Sequence, residues 1–211
     1  LCACLATHAA FSHFHNIERQ PLAAKRWGVF SHRVVLEHPF VRNVNTRFNV
    51  PHSRWNEITA EQMMQASQLV LVESEEAGIH LATSADGLRL VFFQGHPEYD
   101  DFSLLKEYKR EVNRFLAGEI DDYPHYPDHY FNKEALSLLE AYRESAIRSR
   151  QQGVSFDDFP EQKIPVENTW GDTGKMIFNN WLGTVYQLTG QDRRAPFMPG
   201  IDPDEPLAQL F

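Results

Sequence analysis

Three apolar runs, LVLVES (69–74), IHLATS (79–84) and LRLVFFQG (88–95), follow one another with only four and three residues between them. Runs of six to eight residues rich in β-branched and aromatic side chains are too short and too closely spaced for helices, so they demand a sheet. The pair Asp86-Gly87 inside the second gap marks a tight hairpin turn. The third run ends at Gly95 and releases HPEYD (96–100), in which a histidine and a glutamate are separated only by a proline. WGVFSHRVVL (27–36) reads as a further strand and 39–55 as extended or irregular backbone. Helical patterns are expected over 5–16, after Thr59 in a short capped turn, over 101–117 with Asp101 as cap and Gly118 as stop, over 133–150 and over 173–190. Strands mixed with helices indicate an α/β fold, and in such sheets chemistry gathers beyond the carboxyl ends of the strands.

Of the 211 residues, 42% are hydrophobic, enough for one sizeable core and about one domain, with room for a second small lobe. A net charge of -9 argues against a nucleic-acid partner, which needs clustered Lys and Arg. No apolar run approaches the roughly 20 residues of a membrane helix, and the N-terminus lacks the layout of a signal peptide. Both cysteines, Cys2 and Cys4, lie too close together to close a useful disulfide loop, which reads as a reducing cytoplasm. The chain opens at Leu1 without an initiator Met, straight into LCACLATHAAFSHF, so a preceding segment is expected. Residues 1–190 are expected to form the domain, and 191–211, with four prolines, an irregular tail.

A histidine released from a strand end suits a general base, because its pKa lies near neutrality. Glu98 is placed to orient the His96 ring, with Pro97 stiffening the spacing. Such a pair needs a nucleophile, and Cys4 is the candidate: a cysteine just before a helix meets the positive end of the dipole, which lowers its pKa. The backbone N–H of Leu5 would then point to where an oxyanion forms. Each reading has a plainer rival. His96 can be a turn histidine bonded to backbone, and Cys2 and Cys4 can be small apolar fillers. A metal reading would use His13 and His15 with His8, or Cys2 with Cys4, but no second cluster has the spacing of a zinc site.

The segments CLATHAAF (4–11), PHSRW (51–55), GHPEYD (95–100) and FNNWLGTVYQLTG (178–190) resemble, in order and spacing, the homoserine O-acyltransferases of the homoserine O-succinyltransferase family. The resemblance implies a class I glutamine amidotransferase-like fold: a flavodoxin-like three-layer sheet with helices on both faces, here lacking its N-terminal portion. It implies Cys4 as an acyl-carrying nucleophile, His96 as proton acceptor and Glu98 as its partner. It also implies Lys25 as a substrate-binding lysine, Ser53 as a substrate-specificity serine and Arg110 as a carboxylate-binding arginine. Their plainer counterparts are a solvated loop charge, a turn residue and an exposed helix charge, and on a helical wheel Arg110 lies opposite the stripe of Leu105, Tyr108 and Val112. The implied activity moves a succinyl or acetyl group from succinyl-CoA or acetyl-CoA to the hydroxyl of L-homoserine in methionine biosynthesis, with no bound cofactor or metal, in the cytoplasm, as a homodimer. Leu5 departs from the aromatic residue common after the nucleophile, and His8 from a common glutamine. The rival functions are a glutamine amidotransferase-type hydrolase and a non-catalytic α/β binding module.

Overall fold

The computed structural model describes residues 1–156, 158–189 and 194–208. They form two compact units, one of residues 1–26, 30–98 and 169 onward, the other of 27–29 and 99–168.

The first unit is built on a six-stranded mixed sheet. Its strands are β1 (Cys2–Ala3), β2 (Gln20–Val34), β3 (Arg47–Glu57), β4 (Leu69–Ser74), β5 (Gly78–Thr83) and β6 (Val91–Phe93), in the order β1-β6-β5-β4-β2-β3. β1 and β6 run parallel, while β6, β5, β4 and β2 are joined by antiparallel pairings. The hairpin expected at Asp86-Gly87 joins β5 to β6 through a wider loop. There Asp86 accepts hydrogen bonds from the N–H groups of Leu88 and Arg89, each 2.8 Å, and Gly87 takes φ 76.

Successive residues of β6 point to opposite faces and so meet two different cores. Phe92 packs edge-on against Phe11, at 5.0 Å, in a cluster shared by helix α1 (Leu5–His15), Met63 of helix α2 (Ala60–Gln65) and Ile79. Val91 and Phe93 join the other cluster, with Leu71, Leu81 and residues Ile177 and Leu188 of helix α5 (Gly171–Leu188). Helices therefore cover both faces of the sheet, as the α/β pattern requires. α1 ends where expected, at Asn16 in the left-handed region, and Thr59 starts α2 in a reciprocal cap with Gln62.

The segment 39–55, expected to be extended or irregular, resolves into a 3-10 turn at Pro39–Val41 and the edge strand β3. An edge position tolerates Pro51, which cannot donate to a ladder.

The second unit holds helices α3 (Ser103–Leu116) and α4 (Lys133–Gln152), and Tyr108 of α3 is fully buried among Trp27, Tyr126, Phe131 and Phe159. Residues 27–29 are held by reciprocal backbone bonds between Trp27, Val29 and Asp128. A Cβ on Gly28, whose φ is 151, would lie 2.2 Å from the Asp128 oxygen, so only glycine fits there. α3 begins two residues later than expected: Asp101 does not cap it, and Asp100 instead accepts from the Ser103 hydroxyl at 2.7 Å. Residues 194–208 hold turns without helix or strand; Gly190, the expected last residue of the final helix, and the tail residues 191–193 and 209–211 lie outside the described residues.

Candidate active site

Parallel pairing of β1 with β6 sets Cys2 opposite Phe92 and Ala3 opposite Phe93, so both chains leave the sheet at the same end. Cys4 emerges from one strand, and Gln94, Gly95 and His96 from the other. The Cys4 amide donates to Phe93 O at 2.8 Å, and the Thr7 hydroxyl bonds to the same carbonyl, also at 2.8 Å, tying the start of α1 to the end of β6.

Cys4 stands at the N-cap of α1 with φ 46 and ψ -109. Positive φ is strained for a residue with a Cβ, and such strain is held only where surrounding bonds fix it. Burial pushes the thiol upward, but the hydrogen bond and charge of His96, the N–H of Leu5 and the charge of Arg54 outweigh it, leaving Cys4 below its ordinary pKa. Burial also works against the His96 imidazolium. Hydrogen bonds to Cys4 and Glu98, with the charges of both, overcome it and raise His96 to about 9. The two shifts share one cause, the hydrogen bond and charge between Cys4 and His96, so the two groups titrate as a coupled pair.

The His96 ring is oriented by its Nδ1 contact with Glu98 Oε1 at 2.7 Å, which leaves Nε2 for the thiol. Glu98 pairs at the rim, its side chain 56% exposed against 13% for His96. Burial raises the Glu98 carboxyl, but its bonds to His96 and to backbone hold it below the usual range. The approach to His96 is fixed on both sides. Gln94 accepts from Ile58 N at 2.7 Å and donates to Ile58 O and Ile79 O at 2.9 and 3.0 Å, and the His96 amide donates to Pro51 O at 2.8 Å. Beside Glu98 opens a largely apolar cavity of about 430 Å³ lined by Leu1, Ala3, Phe93, Pro97, Gly174, Lys175 and Phe178.

The structure thus brings Cys4, His96, Glu98 and the Leu5 N–H together. Lys25 on β2 and Ser53 on β3 are half-buried strand residues, not loop or turn residues. Arg110 belongs to the second unit, on the outer face of α3; its side chain is 63% exposed and pairs with Glu111 at 3.4 Å. Sequence reasoning missed Arg54, which is buried and acts electrostatically on Cys4. The signal was its spacing of two from His52, which puts both on one face of the strand. Among the described residues no group of three or more His, Cys, Asp or Glu is arranged to hold a metal ion, and no helix is long and apolar enough to cross a membrane.

A family model described as homoserine O-succinyltransferase matches residues 1–191. Curated relatives carrying that name are 56% identical in Methylococcus capsulatus and 55% identical in Methylobacter tundripaludum, each over 210 residues, 98% of this chain and 59% of the relative. The relative in Cardiobacterium hominis is 47% identical over 213 residues, again 59% of its length. The chain therefore spans about three fifths of the length of the curated relatives it matches. Among solved structures, a glutamine amidotransferase from Thermotoga maritima overlaps 85% of this chain and 60% of its own, at TM-score 0.49 and 10% identity, a partial likeness that says nothing of the chemistry.

Proposed function

The chain belongs to the homoserine O-succinyltransferase family, and from that premise we propose that, in the whole protein, Cys4, His96 and Glu98 transfer a succinyl group from succinyl-CoA to the hydroxyl of L-homoserine. The observation that supports this most is the hydrogen-bonded contact of Cys4 with His96 where two parallel strands end, with the Leu5 N–H directed at the sulfur.

In the first half-reaction the Cys4 thiolate attacks the thioester carbonyl, and the Leu5 N–H stabilises the tetrahedral oxyanion. Collapse breaks the bond to the coenzyme sulfur, which leaves with the proton of the His96 imidazolium. The products are free CoA, a Cys4 thioester and a neutral His96. In the second half, His96 takes the homoserine hydroxyl proton as the oxygen attacks the thioester, and the tetrahedral intermediate expels Cys4 as thiolate. The ion pair is restored. Glu98 keeps the ring in one orientation and stabilises its charged form through both halves. Lys25, Ser53 and Arg110 are the substrate contacts in this reading, with Arg110 suited to a carboxylate by its guanidinium fork. Both cysteines are free, which fits the reducing cytoplasm to which we assign the enzyme.

Initial rates of the whole protein with succinyl-CoA and L-homoserine varied together provide the test. Two half-reactions sharing one acyl-enzyme give parallel double-reciprocal lines; intersecting lines contradict the scheme, and ammonia release from glutamine would favour the hydrolase rival.

A further inference from the structure

His52 and Arg54 lie two apart on β3 and share its inner face, with relative exposures of 0% and 3%. A buried guanidinium must be matched by acceptors, or it is strongly destabilising. Arg54 donates to Ala77 O, to Asn56 O at 2.9 Å and to Glu57 Oε2 at 3.3 Å, and its Nε donates to His52 Nδ1 at 3.3 Å.

Arginine only donates, so the last bond makes His52 Nδ1 an acceptor and leaves the proton of the neutral ring on Nε2. From there His52 donates to His32 Nε2 at 3.1 Å. That acceptor in turn puts the His32 proton on Nδ1, which donates to Phe30 O at 2.9 Å. The two rings stack within 5° of parallel, centroids 5.0 Å apart. The donors run one way, from Arg54 to a backbone carbonyl, and each ring has a single tautomer.

This ordered row forms the seat of the strand end that carries His96. A Cβ on Gly95 would lie 2.7 Å from His52 Nε2 and 2.9 Å from His80 Nδ1, so the Gly95 backbone rests directly on those rings. The next amide, that of His96, is bonded to Pro51, the neighbour of His52. The same guanidinium places a buried positive charge within electrostatic reach of Cys4, with Glu57 and Arg26 as the other charges acting on it.

We propose that Arg54 is a positioning residue for the Cys4–His96 pair: it fixes the His52 ring on which Gly95 and His96 are seated, and its immobile charge favours the thiolate. The inference rests on the acyl-transfer reading of that pair. Glu57 offsets part of the charge, so removing the arginine and removing the glutamate act in opposite directions, which a purely structural role does not produce.

The test is the pH dependence of Cys4 alkylation by iodoacetamide, followed by peptide mass in the whole protein carrying Cys2→Ala. Arg54→Gln is expected to raise the thiolate midpoint by about 1 pH unit, the size of a neighbouring opposite charge, and so to slow alkylation about tenfold below it. Glu57→Gln is expected to lower the midpoint, and Arg54→Lys to return it toward the parent value. Should Arg54→Gln fail to fold, the sign of the Glu57→Gln shift decides. A low parent midpoint that neither variant moves, or that both move the same way, overturns this inference alone. A parent whose Cys4 titrates as an ordinary thiol overturns both it and the reading beneath it.

Discussion

Ionisation at single residues divides the buried histidines from the one that faces Cys4. Burial lowers His32 and His38 to about 4 and holds His52 and His80 well below the ordinary value, so all four are neutral in the folded chain at neutral pH. Unfolding lets them protonate below about 6.5, so the unfolded state binds more protons and stability falls as pH drops from about 6.5 toward 4. The slope is about 1.4 kcal/mol per pH unit for each such histidine. His96 behaves in the opposite sense. Its raised pKa, about 9, and the lowered pKa of Cys4 have one origin and opposite signs, so their contributions to the pH dependence of stability offset each other around neutrality. Urea midpoints should therefore fall as pH drops from about 6.5 toward 4, and His38→Gln should make this acid limb shallower; an acid limb unchanged in that variant would show that His38 is not neutral when folded. At this scale the sequence carried three residues that the fold brings together: a thiol before a helix, and a histidine and carboxylate spaced by proline. It did not carry Arg54 or His52, because a polar residue in a strand pattern reads as solvent-facing until its acceptors are known. Those acceptors, Ala77 O and Asn56 O, are backbone atoms that no sequence spacing announces.

Between elements, the closest approach is that of α5 to the turn bearing His96 and Glu98. A Cβ on Gly174 would lie 2.8 Å from Pro97 O and 3.2 Å from its Cβ, and the nearer atom is backbone, which cannot swing aside. Gly174→Ala is expected to displace the His96–Glu98 turn, to lower kcat of the whole protein about tenfold or more, as small misplacements of catalytic groups do, and to lower the melting temperature by a few degrees, since the strain falls on backbone. Unchanged kcat would mean that the turn does not depend on this contact. The hairpin strands β4 and β5 were legible because their buried residues Leu71, Val72, Ile79, Leu81 and Ala82 are apolar and fall in short runs bounded by turn residues. β3 was not, since its inward row of Phe48, Val50, His52 and Arg54 changes from apolar to polar midway, and Pro51 interrupts it. Asp101 looked like a cap by residue type, yet α3 starts at Ser103 because Asp100 engages that serine instead.

Across the whole molecule, the α/β pattern was readable from alternating strands and helices, and the family from four separated motifs. The division into two compact units was not, because Trp27–Val29 leaves the first unit from within a continuous strand and joins residues 99–168. In the first unit strand order alone brings residue 4 beside residue 96, and the proposal that Cys4 carries the acyl group stands on that placement. Its most direct test is mass spectrometry of the whole protein mixed with succinyl-CoA and no acceptor. One added succinyl group is expected, located by peptide mapping on Cys4, absent in Cys4→Ser and discharged by L-homoserine. A protein that stays unmodified under turnover conditions, or that carries the group on another residue, would contradict it.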